Sequence, residues 1–367
     1  MINNLNLNNS PEADYSFCKR IIHRTRATII ASFLAVVFLP CINAQDTEPV
    51  QTLGEGIQAK SFFASAIDDK NVAWFLTEQG IVSYDGAKWT LHNKNRKIIS
   101  TGLRDLAYDF SSYGPELWIA TPQGATVASL PVDARSGATT YYPGNSSIMS
   151  ENVFAVAIGK KGLRWFGTDK GISAFSERKW LTNNYTRKYP DGTFLDYQIT
   201  ALETSPDGDS LYIGTRGGGV MRVYRDDVDA VSGASEYAAW GPILMPSDNV
   251  ISIHVSADGT QWIGTDKGVA KHTGYNTLEG WFVITKAEGL ADDFVQAINS
   301  DTKGNLYFGT RNGLSLFDGT NWTSYNTESG LSSNNILTIA IDKHGVVWIG
   351  TDNGVTRLKE GIFTIYR

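Results

Sequence analysis

The sequence predicts an all-β fold, a seven-bladed β-propeller of four-stranded antiparallel blades, and three observations carry that prediction. First, one phrase recurs along the chain. It reads V-W-I-G-T-D-N-G-V at residues 347–355, W-I-G-T-D-K-G-V from Trp262 and W-F-G-T-D-K-G-I from Trp165, with four more worn copies. Second, the key aromatics Trp74, Trp118, Trp165, Tyr212, Trp262, Tyr307 and Trp348 are spaced 44, 47, 47, 50, 45 and 41 residues apart, the length of one blade. Third, 36 glycines accompany 11% aromatic residues, and no long segment after the leader has a 3.6-residue apolar period. That combination suits short strands and tight turns rather than helices.

Residues 1–44 read as an export signal. Lys19, Arg20, Arg24 and Arg26 precede an apolar run from Ala27 to Leu39, and Ile42-Asn43-Ala44 supplies a small residue for cleavage before Gln45. The run of 13 residues is shorter than the roughly 20 that span a bilayer as a helix. Both cysteines, Cys18 and Cys41, fall in this leader, so the mature chain is expected to hold no disulfide. Lipid attachment at Cys41 is disfavoured by Pro40 immediately before it. Residues 45–58 follow as a polar linker, in which Gly54 and Gly56 favour a loop over an added strand at Val50–Leu53.

The propeller is assigned to residues 59–367. In the last repeat strand A is Ile336–Ile341, strand B Val346–Gly350, strand C Val355–Leu358 and strand D Phe363–Tyr366. The earlier fourth strands are placed at Trp89, Tyr141, Trp180, Trp240, Trp281 and Trp322. Thr and Gly stand three apart in every B–C hairpin, from Thr77/Gly80 to Thr215/Gly218 and Thr351/Gly354. The glycine supplies a positive φ and the hydroxyl can accept a turn N–H. In strand A one column is mostly small (Ala64, Asp105, Ala155, Ala201, Ser252, Ala297, Thr338), as convergence near an axis requires.

Residues 335–358, N-I-L-T-I-A-I-D-K-H-G-V-V-W-I-G-T-D-N-G-V-T-R-L, and the loop Gly330–Asn334 before them resemble the two-component-regulator propeller repeats of bacterial periplasmic sensors. The resemblance runs over about residues 59–367 and is weakest in the first two repeats, where Leu76 and Ala120 replace the Gly before Thr. It implies a periplasmic or extracellular location and a sensory role. In that family the propeller precedes a β-sandwich, a membrane helix and an output domain. Here the sequence stops at Arg367 just after its last strand, so signalling is expected to need a separate membrane protein.

The net charge is −6, and removing residues 1–44, with four basic and two acidic residues, leaves −8. A mildly acidic chain without Lys/Arg runs is a poor nucleic-acid binder. Asp207-Gly208-Asp209 and Asp258-Gly259 read as turns, and no metal-loop, phosphate-loop or hydrolase motif is present, so no cofactor and no metal is expected. Loops are where function is sought, on the face shared by the B–C and D–A loops. There Tyr185, Tyr189 and Phe194 are positioned to stack on a ligand, and Arg216 and Arg311 to clamp a carboxylate or sulfate. The alternation of Asp169, Arg216, Asp266, Arg311 and Asp352 around the ring predicts ion pairs between neighbouring hairpin tips. Among the polar exceptions in strand A (Arg104, Asp105, Thr200, Glu203, His254, Gln296 and Asn299), which are read as channel-lining or paired, Glu203 and His254 are further candidate ligand contacts, and no catalytic residue is assigned. The expected function is binding of a small-molecule, glycan or protein ligand. The alternatives are a glycan lyase or hydrolase, favoured if Glu203, His254 and another acid converge, and a structural component of an envelope complex.

Overall fold

The computed structural model describes residues 49–93, 98, 101–111, 113–133, 137–176, 179–181, 198–224, 235–237, 245–273 and 280–367. The export signal and the loop bearing Tyr185, Tyr189 and Phe194 lie outside the described residues. Among those described, 28 strands form seven four-stranded antiparallel sheets, each ordered A-B-C-D along the chain. The A strands, Phe62–Ile67, Asp105–Ser111, Val153–Ile158, Ile199–Thr204, Val250–Val255, Val295–Ser300 and Ile336–Ile341, each contact the A strand of the next blade, and the last contacts the first. This is the seven-bladed propeller.

In the last blade the expected strands are all present, differing by a residue or so at their ends. Blade four differs more. Its outer strand is Ser235–Tyr237, upstream of Trp240, which lies outside the described residues. The B–C hairpin chemistry also holds. The Thr351 hydroxyl donates to Gly354 O at 2.8 Å and accepts from Asn353 N at 3.0 Å, and Gly354 has φ 103°. Blade four carries an extra residue, so the Thr215 hydroxyl donates to Gly219 O at 2.8 Å instead of Gly218 O, and accepts from Gly218 N at 3.0 Å.

The aromatic of each B strand packs toward the next blade and divides the core into seven clusters, one per seam. Trp74 meets Leu103 and Leu106 of blade two, Trp165 meets Ile199 and Leu202 of blade four, and Trp348 meets Phe62 and Phe75 of blade one. The glycine of W-x-G-T serves this seam, not the turn. A Cβ on Gly167 would stand 2.5 Å from Ile199 Cγ2, and one on Gly350 would stand 2.5 Å from Phe62 O, in each case in the following blade. Close approach of blades therefore explains a glycine that hairpin geometry alone does not need.

Closure differs from expectation. Gln51 N donates to Ile365 O at 2.7 Å, Arg367 N to Gln51 O at 3.0 Å and Leu53 N to Arg367 O at 3.2 Å, a short parallel clasp on the outer edge of blade seven. The positive φ values of Gly54 and Gly56 do make a loop, but it begins only after Leu53 has been buried against Trp89 and Tyr366.

Candidate functional site

The seven polar exceptions in strand A have a common explanation. Arg104 donates to Val153 O at 3.0 Å, Asp105 accepts from Val156 N at 2.9 Å, and Thr200 donates to Val250 O at 2.7 Å. Gln296 donates to Ile336 O at 2.6 Å and Asn299 to Ile339 O at 3.1 Å. His254 Nε2 pairs with Ser300 Oγ at 2.8 Å, and the Val255 N–H donates to the Glu203 carboxyl group. Every one of these partners is in the next blade. Near the axis, where side chains are too small to fill the seam, hydrogen bonds fasten blade to blade.

Glu203, His254 and Asn299 occupy one column in three successive blades, in which the other four blades carry Ala66, Ala107, Ala157 and Ala340. The structure brings Glu203 Oε1 to 3.8 Å from His254 Nδ1, with side chains 36% and 13% exposed. Burial pushes Glu203 up to about 8, and the charge of Asp105, two blades away, pushes in the same direction. Burial likewise raises Asp105 to about 6 and lowers His254 to about 4. At neutral pH Glu203 is thus protonated and His254 uncharged, a polar pair rather than an ionic one.

A pH dependence follows from Glu203. An acid whose folded pKa is raised stabilises the fold below its unfolded value of 4.5 and loses that advantage as pH climbs to about 8. His254 acts in the opposite direction, but only between about 4 and 6.5, and Asp105 is fully titrated soon above 6. Between pH 6.5 and 8 the melting temperature of the wild type should therefore fall, by about 2–4 °C, and that of Glu203→Gln should stay level. Parallel curves from differential scanning calorimetry would contradict the assignment.

The hairpin tips do not pair with their neighbours as expected. Asp169 accepts from Asn152 Nδ2 at 3.0 Å, Asp266 from Asn249 at 3.3 Å and Asp352 from Asn335 at 2.9 Å. Each tip binds the residue that leads into strand A of its own blade. Where the tip is Arg311 that residue is Phe294, and the guanidinium lies over its ring at 3.4 Å. The alternating signs thus reflect a changing partner within the blade, since a tip reaches its own D–A loop before it reaches the next tip. Arg216 stands apart: it is exposed, its backbone bridges Asn249, and its side chain has no hydrogen bond or ion pair among the described residues.

The sequence reading missed a buried cluster at the opposite end of blades two and three. Arg164 stands in a column otherwise filled by Ala73, Leu117, Leu211, Gln261, Leu306 and Val347. It is 2% exposed, hydrogen-bonds Asp109 and lies 3.6 Å from Glu116. The signal was available in that column, as the one charge among uncharged residues.

The two-component regulator propeller family matches residues 330–353, one complete phrase of the repeat. No curated protein matches the chain. Among solved structures, the extracellular domain assigned to the hybrid two component system BT3049 from B. thetaiotaomicron superposes with a TM-score of 0.66 at 19% identity, over 83% of this chain and 39% of that one. The chain thus spans well under half the length of that domain. Streptogramin B lyase gives 0.60 at 14% identity over 86% of this chain and 97% of its own. PorZ, a surface component of the type-IX secretion system of Porphyromonas gingivalis, gives 0.60 at 17% identity over 84% and 47%. At these identities the structures share the fold. The resemblance to two-component regulator propellers, first read from the repeat phrase, is thereby supported by both pattern and architecture. No helix among the described residues is long and apolar enough to cross a membrane.

Proposed function

We propose that the protein is an exported binding propeller of the sensory type, taking the carboxylate or sulfate groups of an acidic glycan on the face of the B–C hairpins and D–A loops. It passes the bound state to a separate membrane signalling protein. The observation that carries this reading is the pair of exposed arginines on that face. Arg216 has no side-chain partner among the described residues, and Arg311 is exposed with its guanidinium over the Phe294 ring at 3.4 Å. Arginine in that setting matches the planar geometry of a carboxylate or sulfate. The likeness to an extracellular sensor domain supports both the location and the role. A catalytic reading has less behind it. Glu203 and His254 are each held by the neighbouring blade, and the likeness to streptogramin B lyase is one of fold.

Uronate-bearing, sulfated and neutral glycans immobilised on an array test the reading. Wild type should be retained by acidic chains in a salt-sensitive manner, and Arg216→Ala with Arg311→Ala should bind at least about tenfold more weakly, the loss of roughly 1.4 kcal/mol. Retention by neutral chains alone, or no change in the double variant, would overturn it.

A further inference from the structure

Beyond the hairpin face, a cavity of about 200 Å³ lies at the blade two–three seam, on the side of the A–B and C–D loops. Strands B, C and D of blade two contribute Glu116, Trp118, Ser129, Thr139 and Tyr141, and blade three adds Arg164 and Phe175. Blade two is built differently here. Its B strand, Gly114–Thr121, is eight residues long where the others have five or six, and the resulting hairpin carries Phe110 and Tyr113 into solvent, 64% and 55% exposed. Tyr113 also lines the cavity.

Two of the side chains that line it carry an unmet donor. Arg164 spends one terminal nitrogen on Gly162 O at 2.6 Å and the other on Asp109 and Glu116, while its Nε–H has no partner. Trp118 Nε1–H also has none, and Trp118 is 1% exposed. Buried N–H groups left without acceptors are costly. Because the guanidinium charge is already met by two carboxylates, the cavity does not call for an anion. A cation is disfavoured by Arg164 itself, which lies within 5.5 Å of the Trp118 ring and 5.9 Å of the Phe175 ring. What remains is a demand for neutral acceptor oxygens between aromatic walls, with the Ser129 and Thr139 hydroxyls as further partners. An apolar cavity of about 150 Å³ accommodates benzene, so this one has room for a substituted six-membered ring.

We infer that the blade two–three cavity is a binding site for a small uncharged polyol of about one ring in size, its oxygens accepting from Arg164 Nε and Trp118 Nε1. This site does not depend on the hairpin face, and the arginines at Arg216 and Arg311 are no part of it.

The test uses ¹⁵N-labelled protein, in which the Trp118 indole resonance is assigned by its disappearance in Trp118→Phe. Titration with myo-inositol and methyl glucoside should shift that resonance saturably, with acetate and tetramethylammonium leaving it in place. Trp118→Phe keeps the ring but lacks the donor, and by calorimetry it should bind the same polyol at least tenfold more weakly. Ser129→Leu, which fills the cavity without touching the buried charges, should abolish binding while the protein stays folded by circular dichroism. The proposal is overturned if neither polyol moves the indole at 50 mM (order of magnitude, above any useful Kd), which would mean that ordered water alone fills the site. It is equally overturned if a charged probe binds in place of the neutral ones, or if Ser129→Leu binds as wild type does.

Discussion

Replacing Arg164 by Leu is expected to destabilise the protein by about 3–5 kcal/mol, because it leaves Asp109 buried without its cation and takes one partner from Glu116. Asp109 has no easy route to water, as it is 7% exposed. The change looks conservative in the repeat, since leucine fills the same column in three other blades. The cost arises from the partners, not from the site's shape. Adding Asp109→Asn and Glu116→Gln to the same chain should therefore recover more than half of the loss, as a buried ionic cluster replaced as a unit is often neutral. Urea unfolding of the single and triple variants makes the comparison. If the triple variant is as unstable as the single, packing rather than charge holds this seam.

Trp348→Ala should cost a similar amount, about 3–5 kcal/mol, for a different reason. This indole, in the phrase that the whole chain repeats, fills the seam where the last blade meets the first. Its ring lies 6.1 Å from Phe75, 5.3 Å from Tyr84, 6.0 Å from Trp89 and 6.2 Å from Tyr366. Tyr84 and Trp89 belong to blade one and Tyr366 to blade seven, so one truncation loosens both sides of the closure. The clasp formed by Gln51 and Leu53 covers the same cluster and should be released with it. Hydrogen exchange measured by mass spectrometry should then show residues 362–367 exposed in the variant ahead of the other blades. Uniform exchange across all seven would mean that the closing seam is no weaker than the rest. Trp348→Phe, which keeps a ring in contact, should recover most of the stability.

The repeat phrase was enough to read seven blades, their strand order and the hairpin hydrogen bonds, because each of those is local. A turn of Thr-x-x-Gly makes the same bond in six of the seven blades, and an aromatic every 41 to 50 residues needs a seam to fill. The polar residues of strand A were visible as exceptions, and their role was not. Only the ring, by setting Glu203 beside Val255 and His254 beside Ser300, makes them fasteners between blades. The hairpin tips show the same divide. Their alternating charges read as a circuit of ion pairs, yet four of the five tips turned to Asn152, Asn249, Phe294 or Asn335 in their own blades.

What the sequence by itself determined, then, is the scaffold: the number of blades, their strands and the positions where one repeat departs from another. Tertiary structure decided what those departures mean. It placed Arg164 of blade three against Asp109 and Glu116 of blade two, about fifty residues earlier in the chain, and left an unpaired N–H donor on each of two side chains that line a cavity, Arg164 and Trp118. The physical reason is that strand and turn formation is governed by neighbours in the chain, so its signals repeat with the chain. Charge pairing and cavities depend on which surfaces the closed ring presses together, and no residue carries that information alone.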